Sequence, residues 1–249
     1  MHEFNKHKEC YMKNRDNSKI SVLLVHGAFA DASSWRKVIP LLEKQGFTVT
    51  AVQIPLKSLA DDVATTKRVI DAQKDDVILV GHSYGGAVIT DAAAGNAKVK
   101  GLVYVAAFAP DAGETLAGLI ERFSPSPLGT AVAPDSAGFL YIDRTKFQSV
   151  FANDLPTDEA ALFAATQKPI AGAIFGEGVK AAAWKTIPSW YVVSTQDNAI
   201  NPDLERFMAK RIGAQTKEIK ASHVGFISQP AEIAKVIETA AGRNKGAEK

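Results

Sequence analysis

The sequence predicts an α/β fold: a mostly parallel sheet with helices on both faces. Strand-like and helix-like segments alternate along the chain. The strand-like segments are apolar at every position instead of every second one, as in strands buried on both sides. A third observation places a functional turn in that frame. The apolar run Val77-Ile78-Leu79-Val80 leads straight into Gly81-His82-Ser83-Tyr84-Gly85. A serine in G-x-S-x-G between a strand and a helix sits on strained backbone that only tiny neighbours accommodate, and its hydroxyl stands clear of the sheet.

The elements follow in order. Lys19 to Val25 reads as the first strand and stops at His26-Gly27. A helix is expected from Ser34 to Gln45, closed by Gly46, and a strand from Phe47 to Ile54. Within Ser58 to Ala72, Leu59, Val63, Val69 and Ile70 recur at helical spacing, and Asp76 to Val80 returns to strand. Past the Ser83 turn, Ala87 to Ala94 reads as a helix and Gly101 to Ala107 as a buried strand. From Pro110 to Thr186 the pattern breaks into Pro, Gly and Ser interruptions, scattered aromatics and short Ala-rich pieces such as Glu159 to Thr166. The regular pattern then resumes with a strand at Ser189 to Ser194, a helix at Pro202 to Ile212, a strand at Thr216 to Ala221 and a helix at Ala231 to Ala241. The expected organisation is therefore a polar N-terminal tail over 1–18, a core over 19–109 and 187–243, and an inserted cap over 110–186.

With 249 residues, 46% hydrophobic and 22% charged, the chain is long enough for one full core and too apolar to be disordered over most of its length. Lys plus Arg number 29 against 27 Asp plus Glu, so the net charge is only +2 and nucleic acid is not an expected partner. Cys10 is the single cysteine, which rules out an internal disulfide and a cysteine-based metal site. No apolar run reaches the length of a membrane span, and residues 1–18 lack the apolar middle of a signal peptide, so a cytoplasmic protein is expected. No G-x-G-x-x-G follows the first strand, which argues against a dinucleotide cofactor.

A serine hydroxyl becomes a nucleophile only when a base takes its proton, and that base needs a carboxylate to orient it. Behind a turn of this kind the chain order is Ser, then Asp or Glu, then His. Of the five histidines, His2, His7, His26, His82 and His223, only His223 lies beyond Ser83. Asp197 follows the strand ending at Ser194 and is the first candidate for the acid. Asp203, at an expected helix start, has a sufficient capping job there; Glu205, deeper in that helix, is a third candidate. The oxyanion of an acyl-transfer intermediate needs backbone donors, and the N–H groups of Tyr84 and of Ala28 in the His26-Gly27-Ala28-Phe29 loop are the candidates. His82 faces away from Ser83 and reads as a packing or hydrogen-bonding residue. Phe29, Phe108 and Val224 are expected substrate contacts. Phe123, Phe139, Tyr141, Phe147, Phe151, Phe163, Phe175 and Trp184 supply the cap's own core and part of the roof over Ser83. Such a roof favours a small apolar or aromatic substrate.

Val25-His26-Gly27-Ala28, Gly81-His82-Ser83-Tyr84-Gly85-Gly86, Ser194-Thr195-Gln196-Asp197 and Ser222-His223 resemble the α/β-hydrolase superfamily, and within it the plant methyl esterases and hydroxynitrile lyases with their bacterial relatives. The likeness runs from Val22 to about Ile237 and is least specific over the cap. It implies an α/β-hydrolase fold, Ser83, Asp197 and His223 as a triad, and Ala28 with Tyr84 as oxyanion-hole backbone. In the lyase branch the residue after the early histidine is typically threonine and the one after the triad histidine is lysine; here they are Gly27 and Val224, which favours the esterase branch. The expected activity is a cofactor-independent and metal-independent serine carboxylesterase working through an acyl-enzyme on Ser83. A lactonase, a perhydrolase, a lyase-type enzyme cleaving carbon–carbon bonds, or a slow-turnover ligand-binding protein is the alternative. The expected partner is a small-molecule ester, with no nucleic acid and no membrane, and a homodimer is left open.

Overall fold

The structure, a computed structural model, describes residues 20–243; the expected tail over 1–18, with Cys10 in it, lies outside the described residues. β1 (Ile20–Val25) leads through a loop and a 3-10 turn (Ala32–Lys37) to α1 (Ile39–Lys44). β2 (Thr48–Val52), α2 (Leu59–Asp71), β3 (Asp76–His82), α3 (Tyr84–Ala92) and β4 (Val99–Val105) continue the alternation. The segment after β4 holds α4 (Leu116–Ile120), β5 (Val132–Pro134), β6 (Phe139–Ile142), α5 (Phe147–Phe151), α6 (Thr157–Thr166) and β7 (Ile170–Ala171). β8 (Ser189–Ser194), α7 (Pro202–Arg211), β9 (Gln215–Ile219), α8 (Gly225–Ser228) and α9 (Pro230–Ala240) complete the described chain.

Six strands form one parallel sheet in the order β2-β1-β3-β4-β8-β9. Val22 to Val25 and Val77 to Val80 are at most 1% exposed, so the continuous apolar runs are strands covered on both faces. α2 and α3 pack against each other, while α1, α8 and α9 form a second group of neighbouring helices. From β1 the chain steps outward to β2 and then returns to the other side of β1 as β3. In a parallel sheet the strand order reverses at such a point, and the connections leaving β1 and β3 open a crevice between them. The His26 loop and Ser83 emerge there.

Three local differences from the sequence reading have physical causes. The helix expected from Ser34 to Gln45 is two pieces, because Pro40 in the first turn of α1 lacks an N–H and starts a new helix. α3 begins at Tyr84, three residues before the expected Ala87, because the turn at Ser83 converts strand to helix with no spacer and Gly85-Gly86 disguise the first turn. The segment after β4 contains a small sheet, β5-β6-β7, that was not expected, since its strands span only two to four residues. Asp135 closes its hairpin by accepting from the N–H groups of Ala137 and Phe139.

This segment is tied to the sheet's carboxyl edge by polar side chains. Glu159 of α6 takes both Arg36 and Lys37, and the Lys168 ammonium donates to the Ile54 carbonyl. Arg211 of α7 clasps Glu114 at 2.8 Å. Asp154 accepts from the Ser222 N–H at 2.9 Å and from the Ser228 hydroxyl at 2.7 Å. Among the described residues no helix is long and apolar enough to cross a membrane.

Candidate active site

Ser83 follows β3 directly, with φ 53° and ψ −124°, in the left-handed half of the map that an L-residue occupies only under constraint. Several contacts impose it. The Ser83 N–H donates to the Val105 carbonyl at 3.2 Å, and the Ser83 carbonyl accepts from Gly86 and Phe108 at 3.0 Å each. Gly85 lets α3 lie against the end of β1: a Cβ there would come within 2.6 Å of the Val25 carbonyl oxygen.

The loop after β1 is fixed by His26. Its Nε2 accepts from the Ile54 N–H at 3.2 Å, so Nδ1 carries the hydrogen and donates to the Gly27 carbonyl at 2.9 Å. Burial lowers the His26 pKa to about 4, which keeps the ring neutral in that tautomer. Gly27 brings the loop against the serine, since a Cβ on it would stand 2.7 Å from the Ser83 Cβ and 2.9 Å from the His82 carbonyl oxygen. Beyond it, Ala28 and Tyr84 each present a backbone N–H with no acceptor among the described residues, Ala28 from the loop and Tyr84 from the first turn of α3. Phe29 also has a positive φ, 60°, and its ring meets Phe151 edge-on.

Tyr84 turns its side chain away from the serine. Its hydroxyl donates to Asp62 Oδ2 at 2.6 Å, while the Leu56 N–H donates to Asp62 Oδ1 at 2.8 Å. Burial raises Asp62 to about 6.

Asp197 and His223 leave the carboxyl ends of β8 and β9. His223 Nδ1 lies 2.6 Å from Asp197 Oδ2, with the two side chains 1% and 0% exposed. Asp197 Oδ1 accepts from the N–H groups of Ala199 at 2.6 Å and Ile200 at 2.9 Å. With Nδ1 engaged, His223 has Nε2 left for the cleft, which it lines together with Ser83. The His223 carbonyl accepts from His82 Nε2 at 2.9 Å. Burial holds the His82 pKa well below the usual histidine range, so this ring packs as a neutral neighbour of His223.

The structure thus brings Ser83, Asp197, His223, Ala28 and Tyr84 to one place, and of the three candidate acids it pairs only Asp197 with His223. Asp203 is exposed and paired with Arg206 at 2.9 Å. Glu205 is wholly buried and accepts from the Ser194 N–H at 3.1 Å.

The cleft is small, about 50 Å³, and is lined almost entirely by apolar side chains, among them Phe29, Phe108, Phe151, Phe175 and Ile200. Phe29 and Phe108 stand where the sequence reading expects substrate contacts. Val224 does not. It opens the turn into α8, is fully buried in the core cluster and is not among the residues that line the cleft. Ile120, Leu128 and Ala199 line the cleft without having been singled out in the sequence. Ala199 and Ile200 could have been found from their place two and three residues beyond Asp197. Nothing local marks the other two.

Residues 22–236 match the model of the alpha/beta hydrolase family. The chain is 27% identical over 246 residues to a probable hydrolase, R7, of a Phoma species, across 90% of this chain and 99% of that one. It is 25% identical over 247 residues to polyneuridine aldehyde esterase of Rauvolfia serpentina, across 86% and 93%. A pyrethroid hydrolase from Sphingobium faniae superimposes with a TM-score of 0.78 at 23% identity, across 93% of this chain and all of the other.

Proposed function

Because this chain belongs to the alpha/beta hydrolase family, we propose that it is a serine carboxylesterase that cleaves small apolar or aromatic esters through an acyl-enzyme on Ser83. The observation that carries the reading is the buried 2.6 Å pair of His223 Nδ1 and Asp197 Oδ2, which leaves Nε2 on the same cleft as Ser83.

Ser83 Oγ attacks the ester carbonyl carbon while His223 Nε2 takes the hydroxyl proton. Asp197 keeps the ring in the Nδ1–H tautomer and offsets the charge it gains. The carbonyl oxygen becomes an oxyanion and accepts from the Ala28 and Tyr84 N–H groups, which have no other acceptor among the described residues; one such donor is typically worth about 10² to 10³ in rate. Collapse breaks the bond to the alcohol oxygen, which receives the proton from Nε2. Water then enters, loses a proton to Nε2 and bonds to the acyl carbon; the C–Oγ bond breaks, Nε2 returns the proton to Ser83 Oγ, and the acid leaves. In this reading residues 110–186 form a cap that supplies Phe151 and Phe175 as apolar walls for the substrate. No lysine or arginine of the described residues lines the cleft. A cyanide leaving group would find no cation there, which favours ester hydrolysis over nitrile cleavage.

The test is Ser83→Ala beside the wild type on p-nitrophenyl esters of increasing acyl length, with fluorophosphonate labelling of both. The expected result is label on Ser83 only, turnover reduced about 10³-fold or more in the variant, and a preference for short acyl chains that fit the cleft. Undiminished hydrolysis by Ser83→Ala overturns the reading, as does tight binding of an ester with no product released by the wild type.

A further inference from the structure

Among the buried acids that the ester-hydrolysis mechanism does not use, Glu205 has an oxygen without a partner. Glu205, in the first turn of α7, is 0% exposed. One carboxyl oxygen, Oε2, accepts from the Ser194 N–H, while the other, Oε1, is buried with no partner so long as it is only an acceptor. The side chain lies within hydrogen-bonding reach of Asp197. Of the other groups around it, the Tyr191 hydroxyl of β8 is already committed to the Ala107 backbone. The guanidinium of Arg206, next along α7, is engaged outside by Glu218 and Asp203.

Two carboxyl groups in contact away from water cannot both be ionised without a cation, and the donors decide which one is. Asp197 receives two N–H groups and faces His223 Nδ1; Glu205 receives one N–H and no cation. The proton therefore resides on Glu205, where it has an acceptor in Asp197 and gives Oε1 its partner. Burial, and next to it the Asp197 charge, raise the Glu205 pKa well above the usual carboxylate range, in line with that assignment.

We infer that Glu205 is a positioning residue that stays protonated and donates a hydrogen bond to the Asp197 carboxylate, fixing the acid that orients His223. The bond leaves a single negative charge behind the imidazole and limits the directions in which Asp197 can turn. The function rests on the ester-hydrolase reading given above; the proton assignment does not.

The test uses Glu205→Gln, which keeps a donor toward Asp197 and an acceptor for the Ser194 N–H, and Glu205→Met, which keeps the volume and loses the donor. Infrared spectra of the wild type at pH 7 are expected to show a protonated-carboxyl C=O band that is missing from Glu205→Gln. In ester hydrolysis, Glu205→Gln is expected to stay within about threefold of wild-type kcat, whereas Glu205→Met lowers kcat about 10- to 100-fold with KM little changed. The acid limb of kcat/KM is expected to move by less than about 0.3 pH units in Glu205→Gln, because one neutral group replaces another. Absence of the infrared band, or a fall of that limb by about 1 pH unit or more, overturns the assignment, since both mean that an ionised carboxylate was removed. Wild-type kcat in Glu205→Met overturns the positioning role. The infrared result does not depend on turnover, so it separates failure of this inference from failure of the ester-hydrolase reading; should Glu205→Met not fold, the band and the Glu205→Gln profile still decide.

Discussion

Ser83 and Glu159 stand in two regions of the molecule that are held by different means. Around Ser83, at the carboxyl edge of the sheet, strand ends are fixed by backbone hydrogen bonds, glycine contacts and buried rings, and Ser83, Asp197 and His223 are at most 7% exposed. Around Glu159, in the segment between β4 and β8, short helices and strands of two to four residues are fastened through side-chain ion pairs at the surface, and Leu162 of α6 is 62% exposed. The edge is over-determined, as strained backbone at a reactive position requires. The overlying segment buries Phe147, Phe151 and Ile170 in the same core, and the ion pairs at its rim are exposed and individually weak. Under the ester-hydrolase proposal the difference amounts to a division of labour, in which the edge would set the chemistry and the overlying segment what reaches it.

Substitutions in the two regions can break this comparison. The largest effect is expected from Asp197→Asn, which keeps the shape but removes the charge and the tautomer control on His223, and should lower kcat about 10⁴-fold. Gly27→Ala comes next. Its Cβ would press on the Ser83 Cβ at 2.7 Å, pushing the Ala28 N–H out of line, and kcat should fall about 10²-fold or more with KM changed much less. Rates at saturating ester check both. A Gly27→Ala enzyme with wild-type kcat would show that the loop is not held so tightly.

The third prediction concerns stability at the same edge. Between pH 6.5 and about 4 the unfolded chain takes up a proton on His26 that the folded state refuses, so acidification through that window costs up to about 3 kcal/mol. Asp62, raised from 3.8 to about 6, acts in the opposite sense: on acidification from 6 to 4 the folded state takes the proton first, which stabilises it by up to about 3 kcal/mol. Asp62→Asn removes the opposing contribution, so its urea midpoint should drop more steeply between pH 6 and 4 than that of the wild type. Equal slopes would mean that Asp62 is already ionised beside Tyr84. The smallest effect is expected from Glu159→Gln. Arg36 and Lys37 are both substantially exposed, and the lost pairing should change KM by about twofold to threefold, less at high salt, with kcat unchanged. A loss of kcat there approaching that of Asp197→Asn would overturn the division.

What the sequence made legible follows the same line. The core strands announced themselves as continuous apolar runs, and the turn at Ser83 as glycine, serine and glycine behind one of them. His223 was reached by elimination and Asp197 by its place past a strand end, because in a parallel sheet those ends converge. The segment between β4 and β8 was legible only as a change of texture. Its strands are too short to carry a period, and which aromatic becomes a wall and which becomes core depends on how distant segments meet. Phe151 touches both Phe29 and His223, a contact that no local pattern encodes. Val224 joins the core cluster instead of the cleft lining, since adjacency to His223 does not fix which side a residue packs on where the chain turns into α8. Glu205 could be weighed only as a rival acid, since its partner Asp197 is reached through the packing of α7 on β8.

The sheet order carries one more consequence, for how the protein comes to life. The site draws on the ends of β1, β3, β8 and β9, and Ala107 bonds Tyr191 across 84 positions of chain. Such distant parallel pairings are late, slow steps of folding. Helical signal should therefore return first when the denatured chain is diluted into buffer, and ester hydrolysis only once β8 and β9 have docked, making recovered turnover a clock for the last stage of assembly.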